Sequence, residues 1–131
     1  MYIGAAVRAT GSLFVFSVLV LAQGTITTIA GNGSWQYSTD NGVSYNAVGV
    51  VSGTSALLLR STDLVRYVPN NSNGETATFT YKGWDQTSGS FGTKANPGAG
   101  GGTTAFSTSA NTASLTVTSV NDAPVLTPGA P

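Results

Sequence analysis

The chain has 131 residues, and five lysines and arginines balance five aspartates and glutamates, so the formal net charge is zero. Charged residues make up only 8% of the chain, which argues against a nucleic-acid or anionic-membrane partner. Because cysteine and histidine are both absent, the sequence excludes disulfides, zinc–thiolate centres, a cysteine nucleophile and a Ser–His–Asp triad. A hydrophobic content of 40% is sufficient for a folded core, and the length predicts one domain.

Residues 1–22 are typical of a secretory signal peptide. A mostly apolar run at 13–22 follows the single charge of Arg8 and ends in Val20-Leu21-Ala22, which fits the small residues required at a cleavage site. The run is about half the ~20 residues of a membrane-spanning helix, so no stable membrane span is expected. Two alternatives stay open, a buried β-strand and a start codon misplaced within a longer gene. Cleavage would yield residues 23–131 as a secreted or cell-surface protein.

The rest of the chain alternates between β-prone segments and turn residues. Thr, Val, Ile and aromatic residues recur at period two between Gly, Asn, Asp and Pro, with no sustained helical period. The pattern predicts an all-β antiparallel sandwich of about seven strands. The predicted strands, in chain order, are 25–30, 34–38, 43–51, 55–60, 64–68, 76–84 and 113–120.

Several details of this prediction depend on individual residues. Asp40-Asn41-Gly42 predicts a type I′ hairpin that joins strand 34–38 to strand 43–51. Three consecutive leucines make 55–60 apolar on both faces, so this segment is either a buried strand or one turn of helix. Trp84 lies on the Thr/Lys face of its strand, where it is either exposed or covered by a loop. The predicted core comprises Trp35, Tyr37, Val65, Tyr67, Phe79, Tyr81, Leu115 and Val117.

Two segments lack a strand pattern. Residues 86–111 are rich in Gly, Ser and Thr and contain a glycine-rich run at 98–102, which predicts that most of this segment is a long mobile loop before the last strand. Residues 123–131 are proline-rich and predict a linker or tail. The sandwich domain is therefore expected to span residues 23–122.

Four sequence blocks stand in an order that is known from one class of repeat. They are GSWQYSTDNG at residues 33–42, ALLLR and VRYVPN within 56–70, FTYKGWDQ at 79–86 and VTSVNDAPV at 117–125. Together they resemble the cadherin-like, immunoglobulin-like tandem repeats of large bacterial surface adhesins and secreted matrix proteins, over roughly residues 24–126. The resemblance implies an immunoglobulin-like sandwich that acts outside the cell as a non-enzymatic structural or adhesion module, with a protein, cell-surface or matrix partner.

Such repeats usually carry further β segments upstream of the position of Gly24, where this chain has its signal-like stretch. A sandwich without an edge strand exposes unpaired backbone groups, which favours self-association by strand addition. The alternative is a monomer in which residues 25–30 fold back as their own edge strand.

The candidate chemistry rests on five carboxylates. No two are close in sequence or belong to a catalytic motif, so surface turn acids explain them better than a glycosidase pair does. The resemblance implies a calcium site at the domain junction, to which Asp85, Asn121 and Asp122 correspond, although calcium needs six to eight oxygens and few are offered here. A simple turn before the linker proline is the alternative, and no other cofactor is expected. The five carboxylates are Asp40, Asp63, Glu75, Asp85 and Asp122.

Two other functions compete with the adhesion module. A small secreted carbohydrate-binding or hydrolytic β-domain would require an open cleft in which two carboxylates meet Trp84. A fragment of a longer repeat adhesin is the third possibility.

Overall fold

A computed structural model describes residues 2–3, 16–19, 24–70, 74–119 and 129. These residues form β-strands and no helix, and the strands make two antiparallel sheets, which confirms the predicted all-β sandwich. No described helix is long and apolar enough to cross a membrane. The strands are β1 (Tyr2–Ile3), β2 (Phe16–Leu19), β3 (Gly24–Ala30), β4 (Ser34–Ser38), β5 (Asn46–Ala47), β6 (Ala56–Leu59), β7 (Leu64–Val68), β8 (Glu75–Trp84), β9 (Lys94–Ala95) and β10 (Phe106–Val117).

Each sheet contains five strands. The first has the order β1-β2-β7-β4-β5 and the second the order β10-β8-β3-β6-β9. Alternating side chains of both sheets meet between them, where the Trp35 ring lies 4.9 Å from that of Tyr67 and 5.1 Å from that of Phe79. Tilted and edge-to-face aromatic contacts of this kind add to the hydrophobic stabilisation of a core.

The predicted core is confirmed at six of its eight positions. The buried members are Trp35, Val65, Tyr67, Phe79, Leu115 and Val117. Tyr37 and Tyr81 are only partly buried and pack against the edge of the core. Period-two alternation therefore identified the inward face correctly.

The N-terminal apolar run contains a strand. Backbone pairing in β2 runs from Phe16 opposite Tyr67 to Leu19 opposite Leu64, so the strand alternative describes residues 16–19 in this structure. Cleavage after Ala22 stays a prediction, and it would remove the strand that pairs with this side of β7.

The expected edge position of residues 25–30 is wrong. The corresponding strand β3 lies inside the second sheet, between β8 and β6. A strand that is paired on both sides offers no free edge to another chain.

The predicted turn at Asn41 and Gly42 is present, with φ values of 61° and 87° and a hydrogen bond from the Val43 N–H to the Asp40 carbonyl oxygen at 3.4 Å, but the flanking strands do not pair directly beside it as a tight hairpin requires. Pairing of β4 with β5 stops at Tyr37 opposite Asn46, so a longer loop joins them. Strand 43–51 is reduced to the two residues of β5. The physical cause is a polar network around Asp40, whose side chain competes with the strand ladder for backbone partners.

That network ties the two ends of the loop together. The Asp40 carboxylate accepts hydrogen bonds from the Ser38 hydroxyl at 2.6 Å and from the Ser44 backbone N–H at 2.9 Å. The Ser38 hydroxyl oxygen accepts the Gly42 N–H at 2.8 Å. Hydrogen bonds from Ser38 and Ser44 lower the pKa of Asp40 to about 2.

Strand β6 explains the run of three leucines. Leu57 and Leu59 point into the core between the sheets, whereas Leu58 points to the outer face of the second sheet. There Leu58 joins Trp84, Ala105 and Phe106 in a separate buried cluster, which we call the second core. The segment is a buried strand, and the helical alternative is wrong.

Residues 86–105 cover this second core, and we call them the cap. The predicted long loop before the last strand is confirmed over most of residues 86–105, but it contains the two-residue strand β9, which pairs with β6, and it ends earlier than expected because β10 begins at Phe106. The mobility of this loop stays a prediction. The Leu58 N–H donates to the Thr93 carbonyl oxygen at 2.9 Å, and the Gly92 N–H donates to the Leu58 carbonyl oxygen at 2.8 Å. The cap thus adds an edge strand to the second sheet and covers part of its outer face.

Candidate functional site

Trp84 is the anchor of the candidate site. It ends β8 on the polar face of the strand, yet it is only 3% exposed, because the cap covers it. Its indole N–H donates to the Ser88 carbonyl oxygen at 2.8 Å. A buried tryptophan with a satisfied N–H holds the overlying chain against the sheet. The structure therefore favours the covered alternative for this residue.

Backbone hydrogen bonds fasten both ends of the cap. The Asp85 N–H donates to the Ala105 carbonyl oxygen at 3.0 Å, which closes the cap at its base. The Gly101 N–H donates to the Phe106 carbonyl oxygen at 2.7 Å. These contacts place the glycine-rich run beside the start of β10.

Glycine is required where the cap approaches β10 most closely. Gly100 has a φ of 77°, and a Cβ atom there would lie 2.2 Å from the Ser107 carbonyl oxygen. A larger residue would have to displace the backbone of β10. Strand β8 also holds the glycine-rich run, because the Lys82 ammonium donates to the carbonyl oxygens of Gly98 and Ala99 at 3.0 and 3.1 Å.

Two open depressions adjoin each other where the cap returns to β10. The first has a volume of about 600 Å³ and the second about 550 Å³, and both are lined by Thr104, Ala105 and Phe106. The first is completed by Ser61, Gly83, Trp84, Asp85 and Ser107. The second is completed by Thr87, Ser88, Asn96, Pro97, Gly98 and Thr103. We call the two together the cap surface.

Asp85 is the one predicted metal ligand that the structure describes. Its side chain is exposed, and Oδ1 accepts the Thr87 N–H at 2.8 Å and the Thr87 hydroxyl at 2.6 Å. These hydrogen bonds lower the pKa of Asp85, so the carboxylate is charged at neutral pH. Asn121 and Asp122 lie outside the described residues, and the three-residue calcium site stays a prediction.

Asp63 is the buried member of an ion pair with the partly exposed Arg60. It is 1% exposed and accepts the Arg60 backbone N–H at 2.7 Å and the Arg60 guanidinium at 2.8 Å. Hydrogen bonding to Asp63 raises the pKa of Arg60. The same guanidinium donates to the Thr39 carbonyl oxygen at 2.9 Å and lies 3.5 Å from the Phe91 ring centroid. This pair thus fixes the start of the cap to the first sheet.

Glu75 and Tyr67 form a second polar connection. The Tyr67 hydroxyl donates to the Glu75 carboxylate and accepts the Gly33 N–H at 2.5 Å. The Asn32 N–H donates to the other Glu75 oxygen at 2.7 Å. Burial, and then the bond to Glu75, raise the pKa of Tyr67 to about 12, whereas the bond from Tyr67 lowers the pKa of Glu75. The connection secures the turn between β3 and β4.

The remaining described cations also contact their own chain. The Arg66 guanidinium donates to the Gln36 side-chain oxygen at 2.7 Å and lies 3.6 Å from the Tyr45 ring centroid. The Lys94 ammonium donates to the Val50 carbonyl oxygen at 2.6 Å. Each described charged side chain therefore has a partner within the fold.

The described carboxylates are not gathered in one cleft. Asp85 lines the first depression, whereas Asp40, Asp63 and Glu75 line neither of the two. No group of three or more acidic side chains that would suit a metal occurs in the described part of the chain. What the cap surface offers chemically is one carboxylate, the Asn96 amide and several hydroxyls, which suits a neutral polar ligand.

The sequence did not reveal most of these contacts. Arg60 meets Phe91 because the cap folds back over β6, and no sequence pattern relates the two residues to each other. The one sequence signal is Trp84, a large apolar residue on an otherwise polar strand face, for which the sequence leaves exposure and burial under a loop both open.

Comparison of the chain with models of known protein families, with curated proteins and with solved structures found no match.

Proposed function

We propose that the protein is a non-enzymatic, extracellular structural or adhesion module of a bacterial surface or matrix protein. The observation that carries this proposal is that each described charged side chain, Asp85 included, contacts other groups of the fold. Such contacts stabilise a framework, and the cap surface offers hydroxyl and amide groups beside the one carboxylate of Asp85. The cadherin-like resemblance agrees with this role and remains part of the proposal.

The mechanism is passive presentation. Two hydrogen-bonded sheets resist deformation, and the cap is held on them by Trp84 and by the Arg60–Asp63 pair. Binding groups placed on a loop that a rigid scaffold positions lose little conformational entropy when a partner binds. The expected partner is therefore a neutral, hydroxyl-rich or peptide surface of a cell or matrix.

Adhesion under flow tests the proposal. The full chain is displayed on a non-adherent bacterium, and retention on host-cell and matrix-coated surfaces is compared with that of empty cells. Retention above the empty control is expected, and it should be lost in Phe79→Ala, in which the core is disrupted. Retention equal to the empty control on every surface would contradict the proposal.

A carbohydrate-binding domain is the second candidate, and the adjoining depressions of the cap surface favour it. Hydroxyl, amide and carboxylate groups at Thr104, Asn96 and Asp85 are suited to hydrogen bonding with sugar hydroxyls. Glycan-array binding that is lost in Asp85→Ala and kept in Asp40→Ala would support this candidate. Absence of binding to all glycans would remove it.

A further inference from the structure

The sheet edges of this protein differ sharply in length. Among the described strands, the two sheets end in β1, β5, β9 and β10. The first three have two residues each, whereas β10 has twelve. Very short edge strands are one of the ways in which proteins prevent pairing with another chain. Three edges are thus blunted in this way, and β10 is not.

Strand β10 also lacks the other protective features. Its twelve residues include no lysine, arginine, aspartate, glutamate or proline. Charged side chains and proline are the usual means of blocking a long edge. A β-bulge serves the same purpose, but the irregularity in β10 is confined to the stretch between Phe106 and Ala110.

The second half of β10 is a regular strand. Its pairing with β8 is continuous from Ala110 opposite Lys82 to Val117 opposite Glu75. Ala113, Leu115 and Val117 are buried in the core on the inner face. In an antiparallel ladder, alternate residues direct their N–H and C=O groups away from the existing partner. We call the outward backbone of residues 110–117 the β10 edge.

We propose that the β10 edge pairs antiparallel with the β10 edge of a second copy of this chain. The second sheet of one copy and the second sheet of the other would then form one continuous sheet of ten strands across a two-fold axis. Such an interface is self-complementary, because each copy contributes the same surface. In the uncleaved chain, in which β2 pairs with one side of β7, the other described edge strands are too short to add a further copy, so the assembly closes at two.

The chemistry of the edge favours a second copy over a charged partner. Identical edges bring identical side chains together, and this is unfavourable when like charges face each other. The β10 edge carries no charge, so self-pairing meets no such repulsion. Its exposed outward residues are Thr112, Ser114 and Thr116, and hydroxyl pairing across strands already occurs between Thr80 and Thr112 at 2.9 Å.

This inference rests on the proposed function only in the assumption that the protein acts through contacts made by its surface. The two are tested by separate readouts, which are association in solution and adhesion under flow. A monomer that still adheres overturns the pairing alone, and a dimer that does not adhere overturns the proposed function alone.

The test is sedimentation equilibrium of the full chain over a wide concentration range, with lysine variants on two neighbouring strands. Ser114→Lys places a charge on the β10 edge twice per dimer and should weaken dimerisation at least about tenfold. Thr76→Lys is the matched control, because Thr76 is exposed on the same outer face but one strand inward, opposite Thr116. The control should dimerise like the unmodified chain. Thr116→Lys repeats the test at a second exposed position if Ser114→Lys lowers the melting temperature.

Hydrogen exchange supplies a second readout. Amides of alternate residues in 110–117 should become protected as the concentration rises, whereas the amides of β9 should not change. A chain that stays monomeric at every concentration would overturn the proposal. Equal weakening by Ser114→Lys and Thr76→Lys, or assembly beyond two copies, would overturn it as well.

Discussion

Replacing Tyr67 by phenylalanine should produce a loss of stability that depends on pH in both directions. Tyr67 is fully buried, and its hydroxyl joins the Glu75 carboxylate to the Gly33 N–H. The substitution removes a hydrogen bond to a charged acceptor and leaves the Gly33 N–H without its partner. Each of these losses costs about 1–3 kcal/mol, and relaxation toward water at the partly exposed Glu75 offsets part of the sum. We therefore expect the substitution to lower the free energy of unfolding by about 2 kcal/mol at pH 7.

The sign of the pH dependence follows from the two pKa shifts. Glu75 has its pKa lowered from 4.5 by the bond from Tyr67, so its contribution is complete above pH 4.5 and is lost as the pH falls through the lowered pKa. Tyr67 has its pKa raised from 10.0 to about 12, so its contribution is complete below pH 10 and is lost as the pH rises through about 12. The difference between wild type and variant should therefore be greatest from pH 5 to pH 9.

Urea unfolding at a series of pH values measures this difference. Tyr37→Phe is the matched control, because the Tyr37 hydroxyl donates to the Gly92 carbonyl oxygen at 3.3 Å, an acceptor that does not titrate. The Tyr37→Phe difference should stay constant as the pH falls from 5 to 3, while the Tyr67→Phe difference decreases. A Tyr67→Phe difference below ~0.5 kcal/mol at pH 7, or one that is unchanged in acid, would refute this explanation.

Three further predictions concern the core, calcium and export. Phe79→Ala should cost about 3–5 kcal/mol because the ring is 1% exposed, whereas Thr78→Ala on the opposite face should cost less than ~1 kcal/mol in the same urea assay; similar values would show that the inward face is misassigned. If calcium binds, a chelator should lower the melting temperature of the full chain and Asp122→Ala should abolish that difference, so identical melting curves would remove the calcium hypothesis. Exported protein should begin at Gln23 by intact mass, and exported protein that begins at Met1 would contradict cleavage after Ala22.

Period-two patterns made much of the sandwich predictable. Ala77 and Phe79 alternate with threonines along β8, and Leu115 and Val117 do the same in β10. Each of these strands has one apolar and one polar face, so local sequence is enough to orient it. The sequence-based core was correct where this alternation was strict, and Tyr81 at the margin is only partly buried.

The loops were less predictable because side chains far apart in the chain determine them. Asn41 and Gly42 have the backbone conformation of a tight hairpin, but Asp40 redirects the chain through Ser38 and Ser44. The cap is fixed by Trp84, whose partner Ser88 is local, and by Leu58, which is distant in sequence. Glycine-rich composition predicts mobility. It does not show that the segment packs over the side chains of Trp84 and Leu58.

The candidate site was predictable only in part for the same reason. The sequence pattern indicates Asp85 as a candidate, whereas Thr104 and Asn96 carry no distinctive pattern. They join Asp85 at the cap surface because β10 pairs with β8 and brings the end of the cap back to Trp84. The register between β8 and β10 determines which residues meet at the cap surface. Sequence periodicity shows which face of a strand is buried, but it does not specify the register between strands that are distant in sequence.

The extracellular role is tested most directly by the accessibility of the protein on intact cells that produce it. Intact cells and lysed cells are treated with an antibody against the folded chain and with an added protease, and a cytoplasmic protein is followed as a control for leakage. An extracellular module should show antibody labelling and protease cleavage on intact cells, or should be recovered from the medium, while the cytoplasmic control stays protected. Labelling and cleavage only after lysis would contradict an extracellular structural or adhesion module.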